Sequence, residues 1–238
     1  MNYLINTSTD PYFNMAFDEY CLKAFSEHLP LFYIWRNRPS VILGCNQCVE
    51  QELDLEYCRT HDIDIVRRCS GGGMVYHDLG NVNFTFIGNA NNLHFVDDAK
   101  SKLIEALTQL GINAVTTARN DLFIDDKKFS GTAVRMTESA VLFHGTLLFD
   151  VDLQRIRNVS NKQTGKIARK AIESRPSDVA NLSHYINNVR DVEDFMKALQ
   201  SSLTLYGGKL IDLLPEQIQE INELADTKYR KHDWIYQL

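Results

Sequence analysis

IDIVRRCSGGGMVYHDLGNVNFTFI, residues 63–87, is the stretch whose reading decides the fold. Its last seven residues alternate: Val82, Phe84 and Phe86 face one way, Asn81, Asn83 and Thr85 the other. A period of two is the signature of a strand. Ile63 to Arg67 is a second strand, and Gly71-Gly72-Gly73 interrupt regular structure between the two. Upstream, Glu52 to Thr60 reads as a helix, and Leu31 to Trp35 and Val41 to Leu43 as short strands. Asp10-Pro11 has the form of an N-cap and first-turn pair. Behind it Phe13, Phe17, Tyr20, Cys21 and Ala24 share a helical face. Downstream, Val96, Ala99, Leu103, Leu107 and Leu110 mark a helix that Gly111 can end. Strands follow at Asp121 to Ile124, Lys128 to Val134 and Ala140 to Phe149, with Asp125-Asp126-Lys127 as a hairpin tip. Asp191 caps a helix through Leu203, stopped at Gly207-Gly208, and Pro215 to Thr227 forms a last helix. These patterns predict an α+β fold, a mixed sheet flanked by helices. No Pro/Gly/Ser linker divides the chain, so residues 1–238 are read as one domain.

Composition bounds the function. The net charge of −6 gives no case for nucleic-acid binding. No apolar run is long enough to span a membrane. Asp10, Asp18 and Glu19 stand where a signal peptide would carry an apolar core, so a cytoplasmic location is expected. The five cysteines, Cys21, Cys45, Cys48, Cys58 and Cys69, are odd in number and read as free thiols. Cys45-Asn46-Gln47-Cys48 is a single C-x-x-C; a zinc site needs about four ligands, and no second pair follows.

The chemistry-bearing residues cluster in order along the chain. Arg67 and Arg68 precede Ser70 and the glycines. Glycines let several backbone N–H groups converge on one anion, and arginine adds a planar charged fork. This fits a phosphate cradle or a glycine-rich hairpin, but it has neither the Walker nor the dinucleotide spacing. Asp121 reads as a turn residue or as a ligand for Mg²⁺ near phosphates. Lys128, ahead of Ser130-Gly131-Thr132-Ala133, reads as an edge-strand lysine or as a cation aimed at a bound ligand. His144 interrupts an apolar strand and is either a core or a site histidine.

Taken together and in this order, the motifs resemble the lipoate–protein ligase A family. They are Arg-Arg-x-Ser-Gly-Gly-Gly-x-Val-Tyr-His-Asp-x-Gly-Asn-x-Asn from Arg67, Asn120-Asp121, Lys128-Phe129-Ser130-Gly131-x-Ala133 and His144-Gly145-Thr146-Leu147-Leu148. Val179-Ala180-Asn181-Leu182, after Ser174-Arg175, and Asn14-Met15-Ala16-Phe17-Asp18-Glu19 are similar too, so the likeness spans essentially the whole chain.

The resemblance implies a fold shared with biotin–protein ligases and related to class II synthetase cores. It implies ATP-dependent activation of lipoate to lipoyl-adenylate, with Mg²⁺, then transfer to a lysine of a lipoyl domain of a 2-oxoacid dehydrogenase or of the glycine-cleavage H protein. Lys128 would be the catalytic cation between acyl carbonyl and α-phosphate. Arg68, Ser70, Gly71, Gly72, Gly73, Met74, Val75, Tyr76, His77, Asn81, Asn83, Asp121, Gly131, Ala133, Arg135 and His144 would bind nucleotide and lipoate, with Asp121 the candidate Mg²⁺ ligand. The basic stretch Arg155 to Arg175, whose one acid is Glu173, reads as a dock for acidic acceptors or as a solvated loop.

The sequence also departs from the family pattern. Met74 stands where a smaller residue is usual, Cys45 and Cys48 where polar residues are, and Pro176-Ser177-Asp178 expands one junction. Many members continue into a C-terminal accessory domain, which is expected to be absent here. The expectation is a self-sufficient ligase, a ligase needing a separate accessory protein, or a transferase of lipoyl or octanoyl groups from preformed adenylate or an acyl carrier. A thioester route is disfavoured because no cysteine follows Cys69.

Overall fold

The computed structural model describes residues 1–117, 120–160, 177–205 and 207–237. Among them the strands are β1 (Asn2–Tyr3), β2 (Leu31–Trp35), β3 (Ser40–Leu43), β4 (Asp64–Arg67), β5 (Val75–His77), β6 (Asn81–Asn89), β7 (Val115–Thr116), β8 (Leu122–Ile124), β9 (Lys127–Ser130), β10 (Thr132–Met136) and β11 (Ala140–Leu148). The helices are α1 (Pro11–Ala24), α2 (Val49–Glu52), α3 (Leu55–Thr60), α4 (Phe95–Gln109), α5 (Leu153–Asn158), α6 (Val192–Thr204), α7 (Pro215–Leu224) and α8 (His232–Ile235). The fold is α+β, with two mixed sheets and one antiparallel sheet where the sequence suggested one mixed sheet. These are a five-stranded sheet in the order β1-β2-β6-β11-β10, and three-stranded sheets β4-β3-β5 and β7-β8-β9. The run Lys128 to Val134, expected as one strand, divides at Gly131: its first half pairs with β8, its second with β11. The expected helix Glu52 to Thr60 also divides, because the Asp54 side chain caps a new helix by accepting from Tyr57 N.

The five-stranded sheet is covered on both faces. Phe32, Ile34, Phe84, Phe86 and Phe143 point to one side and meet Leu103 of α4 and Phe195 and Leu199 of α6. Tyr33, Trp35, Ile87 and Leu142 point to the other and meet Phe17 of α1 and Ile221 of α7. The alternation of β6 therefore holds, but its polar face is as buried as its apolar one. A buried polar face must find internal partners, and these make the site. In α1, Asp10 caps the helix by accepting from Tyr12 N. Phe17 and Cys21 are buried, but Ala24 is exposed, and Asn14, Asp18 and Glu19 are buried with the apolar residues. No helix among the described residues is long and apolar enough to cross a membrane.

Candidate active site

A cleft of about 560 Å³ opens where the three sheets meet. Trp35, Asn83 and Thr146 are cross-strand neighbours in one row of β2, β6 and β11, and all three line it. His144 and Ala133 line it from the adjacent row. The small sheet contributes Ile42, Val75 and His77, and α1 contributes Met15. Asp121 and Lys128 close one side; their side chains pair at 2.9 Å and stay partly exposed. The strand carrying Lys128 is fixed by Asp178–Ala180: Lys128 N donates to Asp178 O, and Ala180 N donates to Lys128 O. The next residue, Asn181, locks that segment by exchanging two hydrogen bonds with the Val151 backbone.

The glycine run is shaped from behind. Arg68 Nη2 donates to the carbonyls of Gly71 and Gly73 at 2.6 and 2.9 Å, Nη1 to Ile42 O, and Nε to Ser70 Oγ. In a planar trans peptide the N–H lies opposite the carbonyl. The amides of Gly72 and Met74 therefore point away from the guanidinium. Gly72 adopts a φ of +91°, open to glycine and strained for other residues. Gly44 crosses so close that a Cβ there would sit 2.1 Å from Gly72 O. Arg67 is wholly buried: Nε and Nη2 donate to Ile235 O, and Nη1 to Gly44 O and Gln47 O. Neither arginine is the free cation the sequence suggested, because backbone carbonyls consume them. Burial pushes Arg68 down to about 10.

The placement of the sequence-predicted residues is uneven. Arg68, Gly72, Gly73, Met74, Val75, His77, Asn83, Asp121, Lys128, Gly131, Ala133 and His144 line the cleft. Ser70, Gly71, Tyr76, Asn81 and Arg135 lie outside its lining. Tyr76 turns away because β5 alternates; it packs with Val41, Leu43 and Leu148. Asn81 sits one step beyond, donating to Asn83 Oδ1. Arg135 is exposed and braces the loop by donating to Cys69 O. Ser70 is buried between Arg68 and His144. Met15, Trp35, Ile42, Thr132, Gly145, Thr146 and Ser177 line the cleft and were not anticipated. Trp35 had a usable signal, since it falls on the face of β2 opposite Phe32 and Ile34.

Two buried donors on cleft-lining residues have no acceptor among the described residues. Asn37 Nδ2 lies 3.0 Å from His77 Nδ1, so the proton of His77 belongs on Nε2. Burial, and the nearby Arg68 guanidinium, lower the His77 pKa from 6.5 to about 3, so the ring is neutral. His77 Nε2 and Asn83 Nδ2 are both buried with no partner. Buried polar groups are rarely left so, and both residues line the cleft. Among the described residues no cluster of three or more His, Cys, Asp or Glu could hold a metal ion. Neither C-x-x-C cysteine is in a disulfide; Cys48 Sγ donates to Glu50 Oε2, and Cys45 N donates to Ser70 O beneath the loop. The basic stretch Arg155 to Arg175 lies outside the described residues beyond position 160.

This arrangement suits a ligand with an apolar arm and an anionic head. Comparison with known proteins gives the chain a family. The model of the lipoyl protein ligase A/B catalytic domain matches residues 10–204. Lipoate–protein ligase 1 of Staphylococcus aureus is 37% identical over 97% of this chain and 71% of its own length. P. falciparum LipL1, solved in complex with lipoate, is 27% identical with a TM-score of 0.80, covering 99% of this chain and 73% of that one. A lipoate–protein ligase A solved with ATP shares the fold at 24% identity and a TM-score of 0.83, covering 99% and 98%. The chain belongs to the lipoyl protein ligase A/B catalytic domain family.

Proposed function

We propose that this protein activates lipoate with ATP as an acyl-adenylate and transfers the acyl group to a lysine of an acceptor protein. The observation that carries the reading is the Lys128–Asp121 pair, which faces the glycine run across a cleft with an apolar strip of Met15, Trp35, Ile42 and Val75. The strip receives the aliphatic arm and ring of lipoate. The amides of Gly72 and Met74 receive phosphate oxygens.

In the first step a lipoate carboxylate oxygen bonds to the α-phosphorus, and the bond to pyrophosphate breaks. Charge builds on the α-phosphoryl oxygens, where Lys128 Nζ is held ready to offset it. In the second step a neutral lysine amine of the acceptor attacks the acyl carbon. The acyl–phosphate bond breaks, AMP leaves, and the amine proton passes to solvent. Mg²⁺ commonly binds through one or two carboxylates plus substrate phosphates. Asp121 is the one carboxylate in the cleft lining among the described residues, so the donor set fits, and Asp121 would hold the ion. When bound, Mg²⁺ screens the phosphate charge.

The acceptor class is a lipoyl domain or an H protein, with octanoate as an alternative acyl group. A two-arm assay on an apo lipoyl domain tests the reading, one arm with lipoate, ATP and Mg²⁺ and the other with ready-made lipoyl-adenylate. Lipoylation in both arms is the expected result. Lipoylation in the second alone assigns activation to a separate accessory protein, and none in either arm refutes the reading. Lys128→Ala should lose on the order of 10²–10³ in kcat for activation; a rate within twofold of wild type would remove Lys128 from the chemistry.

A further inference from the structure

Behind the cleft lies a continuous buried chain of hydrogen bonds that starts at α1 and ends at the glycine run. Tyr33, Thr85 and His144 are cross-strand neighbours in one row of β2, β6 and β11. Asp18 of α1 sits over that row, 1% exposed, and takes a hydrogen bond from each of the three. Tyr33 OH donates to Oδ1 at 2.5 Å, Thr85 Oγ1 to Oδ1 at 2.9 Å, and His144 Nδ1 to Oδ2 at 2.7 Å. His144 Nε2 in turn lies 2.7 Å from Ser70 Oγ, which accepts from Arg68 Nε. Arg68 then holds the carbonyls of Gly71 and Gly73. A second limb runs from Asp18 through Thr85 to Trp35 Nε1, which donates to Thr85 Oγ1 at 3.0 Å.

We infer that Asp18 is a positioning residue for the activation step: it fixes His144 as the Nδ1–H tautomer, which orients the Ser70 hydroxyl and so the Arg68 side chain that shapes the glycine run. A carboxylate only accepts, so the His144 nitrogen facing it carries a proton. In the neutral ring the other nitrogen is an acceptor, and Ser70 supplies its single proton to it. With that proton committed, the Ser70 lone pairs face Arg68 Nε. Reversing the tautomer would aim two N–H donors, His144 Nε2 and Arg68 Nε, at one hydroxyl oxygen. The Ser70 proton would then lose its acceptor in a buried place, which is costly. Arg68 gives way, and the carbonyls it holds swing with it. Asp18 is not itself in the cleft lining; it reaches the cleft through His144 and, by the second limb, through Thr85 and Trp35.

The functional arm of the test rests on the activation chemistry proposed above; the spectroscopic arm does not. Asp18→Asn is nearly isosteric, and its amide can donate to His144 Nδ1. Imidazole ¹⁵N spectra of the wild-type chain near neutral pH, without substrate, should show His144 protonated at Nδ1 and bare at Nε2. Asp18→Asn should show the reverse. Lipoate-dependent exchange of label between pyrophosphate and ATP should fall roughly 10- to 100-fold in Asp18→Asn, with secondary structure by circular dichroism retained. Ser70→Ala should keep the Nδ1–H tautomer and lose exchange to a similar degree. The losses in the double variant should not add, because both cut one chain. A wild-type His144 protonated at Nε2, an unchanged tautomer in Asp18→Asn, or exchange within twofold of wild type would each overturn the inference. Should Asp18→Asn fail to fold, the wild-type tautomer and the Ser70→Ala exchange rate decide it by the same limits. A wild-type chain with no lipoate-dependent exchange removes the activation step proposed above, and the wild-type and Asp18→Asn spectra then decide this inference alone.

Discussion

Replacing His77 with asparagine should remove part of the acid sensitivity of the fold, and the size of the effect follows from the burial of one ring. In the folded chain His77 holds its proton only below about pH 3, because it is buried and lies near the Arg68 guanidinium. In the unfolded chain it titrates near 6.5. Between those values the unfolded state binds a proton that the folded state refuses. Stability must therefore rise with pH across the window and fall on acidification through it. The whole displacement is worth about 5 kcal/mol, and the share already lost at pH 5 is about 2 kcal/mol. His77→Asn keeps an acceptor for Asn37 Nδ2 and has no proton to gain. Urea unfolding of both proteins at pH 8 and pH 5 measures the difference. The wild type should lose about 2 kcal/mol more than the variant on going to pH 5. An equal loss in both proteins would show that His77 is not held neutral and that the burial argument fails.

Two further outcomes can be checked independently. Burial pushes the Glu19 carboxyl up, but hydrogen bonds from Lys228, Lys23 and Tyr229 outweigh it and bring the group to about 2. A depressed carboxyl contributes stability above its unfolded value of 4.5 and loses it as pH falls toward about 2. Glu19→Gln should therefore cost on the order of 2 kcal/mol at neutral pH and flatten the stability profile below pH 4.5, read by thermal melts over that range. Gly44→Ala places a Cβ 2.1 Å from Gly72 O, so the glycine run must move. The chain should stay folded at a cost of about 1–3 kcal/mol, while the KM for ATP rises tenfold or more in pyrophosphate exchange; an unchanged KM would separate the run from nucleotide binding.

Much of this architecture is legible in local pattern. The alternation of Asn81 to Ile87 reads as a strand, and Asp10 and Asp191 read as helix caps, because strand period and capping depend on neighbours along the chain. The divided elements are harder. Asp54 looks like any polar residue of a helix surface until its side chain is seen to accept from Tyr57 N. Gly131 looks like a strand glycine, yet there the chain leaves one sheet for another. The site divides the same way. The glycines and Lys128 announce themselves by residue type. Arg67 and Arg68 mislead by type, since a buried arginine bonded to carbonyls and an exposed one waiting for phosphate are spelled alike. Asp18 is the extreme case. Its partner His144 lies 126 residues away, and only the sheet register brings the two together.

The sequence contains two tryptophans, one in the cleft and one bonded to the strand that leads into the glycine run. Trp35 forms part of the cleft lining, and the indole of Trp234 donates to Arg67 O directly behind the glycine run. The indole emission of the chain therefore comes from the cleft lining and from the strand before the glycine run. Substrate titrations can be followed by intrinsic fluorescence without a label, and Trp35→Phe and Trp234→Phe divide the signal into the part that senses the acyl arm and the part that senses the loop.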